Sequence, residues 1–484
     1  VVAPPPTAPN AGDGRLRRAP LTAIDAVNLA VWFTVLLVAL LPGGGRDLYL
    51  LATGATIASI LLGVLGQGRF PGLITAFQVG FVVIVAVEGI FQADVLTNRY
   101  GPEAFSLASR YLVGSLAVVV LGHGAVHRAL ADDEAAPARW TADPARSITA
   151  MVAMGVVYLL GIWPRVTARV TSGRVGDFEP WFAGSAFEPI VSGLVGAAGM
   201  LLPAMVAYQV VRLQGRRFTR AVLLASPVLA VQFAIGTRFP LLFAVAGMVI
   251  VSFAGRRLRP SVVLRALAVA AGLFVLSASM TQFRSVGLGN VEADDLSISL
   301  ERVSEGERTV KNLIEITDWF DASGYAGGSS SVTVAAFFIP RVLWPDKPEA
   351  MGYWFPRRYG EAGFSAGHSI AYSFAGDPYA DFGFGGGMVA VLGLGLALGV
   401  ADRWCSARLA RPSEPTLVIV GPLYGAAFFA ARSVDTAFIA TCGLFALGSL
   451  YVWFVRRRID TGADRGRGVA TEAGEHPTTT MPPQ

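Results

Sequence analysis

One polar stretch between two apolar ones holds the residues best suited to chemistry: Pro340, Arg341, Trp344, Pro345, Asp346, Lys347 and Pro348, then Gly367, His368 and Ser369, then Gly376, Asp377, Pro378 and Tyr379. Three more arginines stand beside apolar runs. Arg238 lies in a turn with Gly236, Thr237, Phe239 and Pro240, Arg284 follows an apolar run, and Arg432 sits in the short 431–436 turn. Guanidinium groups pair phosphate oxygens bidentately and stay charged in a partly apolar site. Together with Arg341, Lys347, Arg357 and Arg358 these cations point to an anion, with a diphosphate as the natural candidate. Any one of them is equally well read as snorkelling to lipid headgroups or pairing with Glu292, Asp294 or Asp435. The set favours the anion.

The elements that must position them are membrane helices. The chain is 53% hydrophobic and 15% charged, outside the range of soluble domains, and apolar runs of spanning length recur throughout. Spans are expected near 21–41, 48–65, 73–91, 105–126, 148–163, 190–211, 221–235, 239–253, 262–280, 383–400, 417–431 and 436–455, about twelve in all. The sequence therefore predicts an all-α polytopic transmembrane bundle. It divides into a disordered tail (1–20), helices one to nine (21–282), a large loop (283–382), helices ten to twelve (383–455) and a second disordered tail (456–484). The first tail has no apolar core with a small-residue cleavage site and is read as a tail rather than a signal peptide. Cys405 and Cys442, the two cysteines, exclude a disulfide framework or a cysteine metal cluster. The net charge of +5 is spread over loops, which fits membrane topology and not nucleic-acid binding.

Every second short loop is basic. Arg15, Arg17 and Arg18 precede the first span, and Arg69, Arg128, Arg212, Arg256, Arg403 and Arg456 open or lie in the alternate loops that follow. Both termini are then cytoplasmic and the 283–382 loop is outside. Arg165, Arg169 and Arg174 dissent, beside Asp177, Glu179 and Glu188. On this topology Arg238, Arg284 and Arg432 fall at external helix mouths, which breaks the positive-inside bias and strengthens the anion reading.

Within the loop, apolar and charged residues interleave over 300–320, giving an amphipathic helix that lies on the membrane surface or on the domain core and serves as scaffold. Residues 332–343 are apolar but too short to span and end at Pro340, a re-entrant or interfacial segment presenting Arg341 and the rigid Trp344 to Pro348 turn. His368 is read either as a structural residue or as a phosphate donor or proton shuttle. Asp377 and Asp381 are the carboxylates nearest the returning helix. The glycines from Gly383 to Gly387 serve packing or close ligand approach.

These residues carry a resemblance. The run from Pro340 to Pro348, the Gly367-His368-Ser369 triplet and Gly376 to Gly383 resemble the signature of the O-antigen polymerase (Wzy) family, the oligosaccharide repeat unit polymerases. The Arg238 turn and Arg284 are similar to that family too, so the likeness covers about half of the chain, from Ala221 to the last span. Where many members carry Glu before the aromatic, this chain has Asp377 and Pro378. The resemblance implies a GT-C-like, metal-independent, lipid-linked glycosyltransferase without a cofactor, at the outer face of a bacterial cytoplasmic membrane. It would move a glycan from undecaprenyl diphosphate onto the hydroxyl of another lipid-linked repeat unit. Its partners would be that lipid-linked oligosaccharide, the bilayer, and the flippase and chain-length regulator of the same pathway.

In that reaction cations must neutralise the departing diphosphate, for which Arg238, Arg284, Arg341, Lys347 and Arg432 are the candidates. Asp377, His368 or Glu361 would take the acceptor proton, and Trp344 and Tyr379 would bind the glycan. Asp294 and Asp295 are adjacent but read as solvated loop, not a metal site. An O-antigen ligase or another polyprenyl-phosphate-dependent glycosyltransferase would share the cations and differ in acceptor. A lipid-linked oligosaccharide flippase or transporter would need a polar midplane cavity and internal repeats, and neither is evident here.

Overall fold

In lipid an apolar segment can satisfy its backbone only as a helix or a closed barrel, and this chain takes the helix. The computed structural model describes residues 23–67, 72–129, 140–172, 188–235, 238–254, 308–336, 339, 343–359, 370–411 and 413–458. The first half holds α1 (Ala23–Leu40), α2 (Arg46–Gln67), α3 (Leu73–Phe91), α4 (Ala93–Tyr100) and α5 (Pro102–Ala129). After β1 (Trp140–Ala142) come α6 (Pro144–Ser172), α7 (Glu188–Ala207), α8 (Phe218–Ala234) and α9 (Arg238–Phe253). Short helices α10 (Thr309–Ser323), α11 (Ser329–Ala335) and α12 (Met351–Tyr359) belong to the long loop. Then follow α13 (Gly376–Leu409), α14 (Leu417–Ala430), α15 (Val434–Val455) and β2 (Arg456–Arg458).

Among the described residues seven helices are long and apolar enough to cross a membrane: α1, α3, α5, α6, α7 continued to Leu213, α13 and α15. The apolar α8, Phe239–Phe253 within α9, and α14 are shorter. Helix α2 covers the span expected at 48–65 without being among the seven, and the span expected at 262–280 lies outside the described residues. The protein is an all-α membrane protein, with one two-stranded antiparallel ladder pairing Trp140 with Arg458. Leu160 and Trp163 on α6, Leu223 and Leu224 on α8, and Val389 on α13 are exposed. Such faces suit lipid and would be a liability in water.

The helices run alternately, so the structure has two ends. One gathers the long-loop helices with the ends of α3, α9, α13 and α14. At the other, Arg128 donates to the Asp25 carbonyl, Tyr208 to the Ser413 carbonyl (2.6 Å), and β1 meets β2. Arg456–Arg458, assigned from sequence to a disordered tail, is thus a paired strand, and Arg456 lies over the Trp140 ring at 5.3 Å. The local sequence held no strand signal there, because the pairing is made across the bundle.

The scaffold helix expected at 300–320 is α10, and it is buried within the bundle through Val310, Leu313, Ile314, Ile316 and Phe320. What docks it is Glu88 near the end of α3, itself 2% exposed, whose two oxygens accept the Val310 (2.9 Å) and Lys311 (3.1 Å) amides of its first turn. A carboxylate there meets orphan donors and the positive end of the helix dipole together. Replacing Glu88 by Ala leaves these amides without their acceptor and should cost about 3 kcal/mol. Equilibrium unfolding in detergent measures this, with Glu88→Gln, which keeps one oxygen, expected to lose about half as much.

Candidate active site

The chain enters α13 through residues 370–375, an irregular segment buried from Tyr372 to Ala375. It is pinned from outside. The Ile370 amide donates to the Gly352 carbonyl (3.0 Å), the Asn312 side chain to the Ala371 carbonyl (2.7 Å), and the Phe374 amide to the Ala431 carbonyl (3.2 Å). Ser373 adopts φ +73°, and the Phe374 ring packs edge-on against Phe77 at 5.1 Å. These ties fix the first turn of α13 against the α14–α15 turn.

Asp377 sits on that first turn, half-buried. Its Oδ1 accepts the Tyr372 hydroxyl (3.1 Å), and Asp435 and Asp381 lie within electrostatic reach. Burial, with Asp377 and Asp435 beside it, pushes the Tyr372 hydroxyl well above its ordinary range, so it remains a donor. Asp435 is held by the Thr436 amide (2.7 Å) and by Ser433. Arg432, in the same turn, places its guanidinium over Phe239 at 4.8 Å and near Phe429 at 5.9 Å, and those two rings are 4.2 Å apart. Arg238 immediately precedes Phe239 at the start of α9. Thus Asp377, Arg432 and the backbone position of Arg238, far apart in sequence, meet at one helix mouth. The group offers a carboxylate to take a proton and the placed guanidinium of Arg432 for an anion.

Tyr379 departs from expectation. It is 1% exposed and its hydroxyl donates to both Asp321 oxygens (2.9 and 3.0 Å), so its ring is scaffold rather than a glycan platform. Tyr325 donates to the same carboxylate (2.8 Å), and Tyr111 meets Tyr379 edge-on at 4.9 Å. The cluster surrounds a kink. At Gly383, φ +69° splits α13, and an added Cβ would lie 2.6 Å from the Tyr325 ring. The helix therefore begins at Gly376 and not at the 383 expected from the apolar run.

The contacts described for Lys347 and Trp344 lie within their own turn: the Lys347 amide donates to the Trp344 carbonyl (3.1 Å) and its ammonium to the Ile339 carbonyl (3.2 Å). The structure thus does not bring them to the Asp377 mouth by any contact it describes. His368, Glu361, Arg284 and Arg341 lie outside the described residues, as does the Arg238 side chain. Among the described residues no group of three or more His, Cys, Asp or Glu is placed to hold a metal ion. Tyr372 and Asp321 were missed by sequence reading, which has no local signal for a tyrosine that serves a carboxylate.

Comparison of the chain with family models, with curated proteins and with solved structures finds no match.

The hydrogen bond from Tyr325 to Asp321, aided by burial, raises the Tyr325 hydroxyl above its ordinary range. Removing the carboxylate removes the penalty for forming phenolate beside it. Asp321→Asn should therefore move Tyr325 ionisation to lower pH. Phenolate absorbance, read as the difference from the same variant also carrying Tyr325→Phe, measures the midpoint, and an unmoved midpoint contradicts the assignment.

Proposed function

We propose that the protein is a polysaccharide repeat-unit polymerase, a GT-C-like glycosyltransferase that works on undecaprenyl-diphosphate-linked glycans. The observation that carries the reading is the meeting of Asp377, Arg432 and the start of α9 at one helix mouth, reached from three parts of the chain. The resemblance of residues 340–348 and 376–383 to the polymerase signature supports the same reading. The end that holds this mouth is assigned to the outer face of a bacterial cytoplasmic membrane. Arg128, Arg146, Arg212, Arg216, Arg217, Arg220 and Arg403 stand in or beside the loops that the positive-inside bias assigns to the opposite face.

In the reaction the acceptor hydroxyl gives its proton to Asp377, which Tyr372 orients through Oδ1. The acceptor oxygen bonds to the anomeric carbon of the donor glycan as that carbon's bond to the phosphate oxygen breaks, and undecaprenyl diphosphate leaves with the electron pair. Arg432 and Arg238, with Arg284 and Arg341 from outside the described residues, neutralise the charge that develops on it. His368 and Glu361 are the alternative proton acceptors.

The test is incubation of the purified protein in liposomes with undecaprenyl-diphosphate-linked repeat units, followed by gel and mass analysis. A ladder of added repeats with released undecaprenyl diphosphate is expected. Asp377→Asn should lower the rate at least about a hundredfold, and Arg432→Ala about a hundredfold or more, with insertion unchanged. Intact single repeats from the wild type, or undiminished ladders from both variants, overturn the reading.

A further inference from the structure

Helix α5 carries a cation that the proposed reaction does not use. Arg110 lies in this membrane-crossing helix, in the third turn from its start at Pro102. That start belongs to the end where the long-loop helices gather, since Tyr100, just before it, donates its hydroxyl to Glu315 of α10. At 1.5 Å per residue the Arg110 Cα is about 12 Å inside the outer end of a helix about 42 Å long, below the phosphate layer of a bilayer. Helix side chains lean towards the N-terminus, which here is the outer end, and so the guanidinium is carried up towards that layer. The stem runs against the α1–α2 turn, where a Cβ added at Gly44 would lie 3.7 Å from the Arg110 Cγ. Ser106, one turn earlier on α5, donates to the Gly43 carbonyl (3.1 Å) and holds the turn over this face of the helix.

Arg110 lacks a counter-charge. Its Nε is buried without a hydrogen-bond partner, and no ion pair joins it to a carboxylate among the described residues. The residue as a whole is half-buried, so the guanidinium has lost part of its water while the rest of its surface stays open. The carboxylates of this end are engaged elsewhere: Glu88 of α3 gives its two oxygens to the α10 amides, and Glu315 takes the Tyr100 hydroxyl and pairs with Lys311. A cation in a spanning helix without an internal partner is costly, and on the translocated side it also runs against the bias of insertion. The anion that answers both comes from outside the chain, and at this depth it is the phosphate of a lipid, which a guanidinium pairs bidentately. Arg110 and Arg432 stand on opposite sides of one segment. Asp377 faces the α14–α15 turn that carries Arg432, whereas Tyr379, two residues on and so about 200° round the helix, meets Tyr111, the neighbour of Arg110 on α5. The transfer proposed above has two lipid-linked substrates, hence two diphosphates, and the Arg432 mouth neutralises only the departing one.

We infer that Arg110 is a second lipid-phosphate site at the outer face, and that it holds the diphosphate of the acceptor lipid while Arg432 serves the donor. The acceptor assignment rests on the polymerase reading, whereas the binding of a lipid phosphate at Arg110 stands independently. The full-length protein in detergent, carrying Arg432→Ala so that the mouth does not contribute, would be titrated with undecaprenyl diphosphate and, separately, with phosphatidylglycerol, and bound lipid read by native mass spectrometry. Saturable binding of undecaprenyl diphosphate is expected, weakened at least about tenfold by adding Arg110→Ala. Arg110→Lys, which keeps the charge and loses the fork, should weaken it less. If Arg110→Ala fails to insert, Arg110→Gln decides in its place. A loss confined to phosphatidylglycerol keeps the lipid-phosphate site and overturns the acceptor assignment. No saturable binding of either lipid, or binding of both unaltered by Arg110→Ala, overturns the inference. Polymer formation by the wild type is scored separately. Weakened binding in Arg110→Ala with no ladder from the wild type keeps the site and sinks the polymerase, and a wild-type ladder with unaltered Arg110→Ala binding does the reverse.

Discussion

The architecture depends on buried carboxylates that end other helices. Glu88 of α3 accepts the first amides of α10, Asp381 of α13 those of α11, and Asp402 near the far end of α13 accepts the Leu73 amide that opens α3 (2.9 Å). Each is 4% exposed or less. An isolated charge so placed is costly in a bundle that sits in lipid, and so is an orphan amide. Joining them answers both problems at once. A carboxylate accepting two backbone amides is a charge-assisted bond aligned with the helix dipole, stronger than a neutral pair. It is also directional, and so it fixes where the helix it caps begins.

For the candidate site this has a particular consequence. The first turn of α11 is fastened to Asp381, while Asp377 faces the α14–α15 turn from the preceding turn of α13. The α11 anchor and Asp377 are therefore carried by one short segment, residues 376–382, which the kink at Gly383 separates from the rest of α13. The tyrosines around Asp321 brace that kink. A site with its groups on rigid helix, supported by buried partners, keeps its geometry better than one carried on a mobile loop.

Much of the frame was legible in the sequence, since apolar length alone marks a spanning helix and the α1, α5 and α15 runs need no partner to be recognised. Arg238 and Arg432 were legible for a related reason: cations at mouths assigned to the outside run against the charge bias of insertion. The polar architecture was not legible. The partners of Glu88 lie 222 and 223 residues away, and nothing near position 310 announces them. Tyr379 was expected to bind the glycan, and nothing in its local sequence announces the Tyr111 ring and the Asp321 carboxylate that engage it.

Helix α3 shows how closely these ties must be registered. At one end it receives a carboxylate, from Asp402, which also holds His123 Nε2 (2.9 Å), and Gly72 leaves room for that carboxylate where any Cβ would collide with it. At the other end it supplies one, Glu88. Between them lies a π-helical stretch, Val82–Ala86. A π-turn inserts one residue into the α-helical count, which rotates everything beyond it by about 100°. Without that extra residue, a helix anchored at Leu73 would turn Glu88 away from α10. The π-turn thus reconciles two demands that a regular helix cannot meet together. One is the small-residue packing of its first turns, where Gly80 lies against the Phe428 backbone of α14, and the other is the direction of a carboxylate on which the long-loop scaffold is hung.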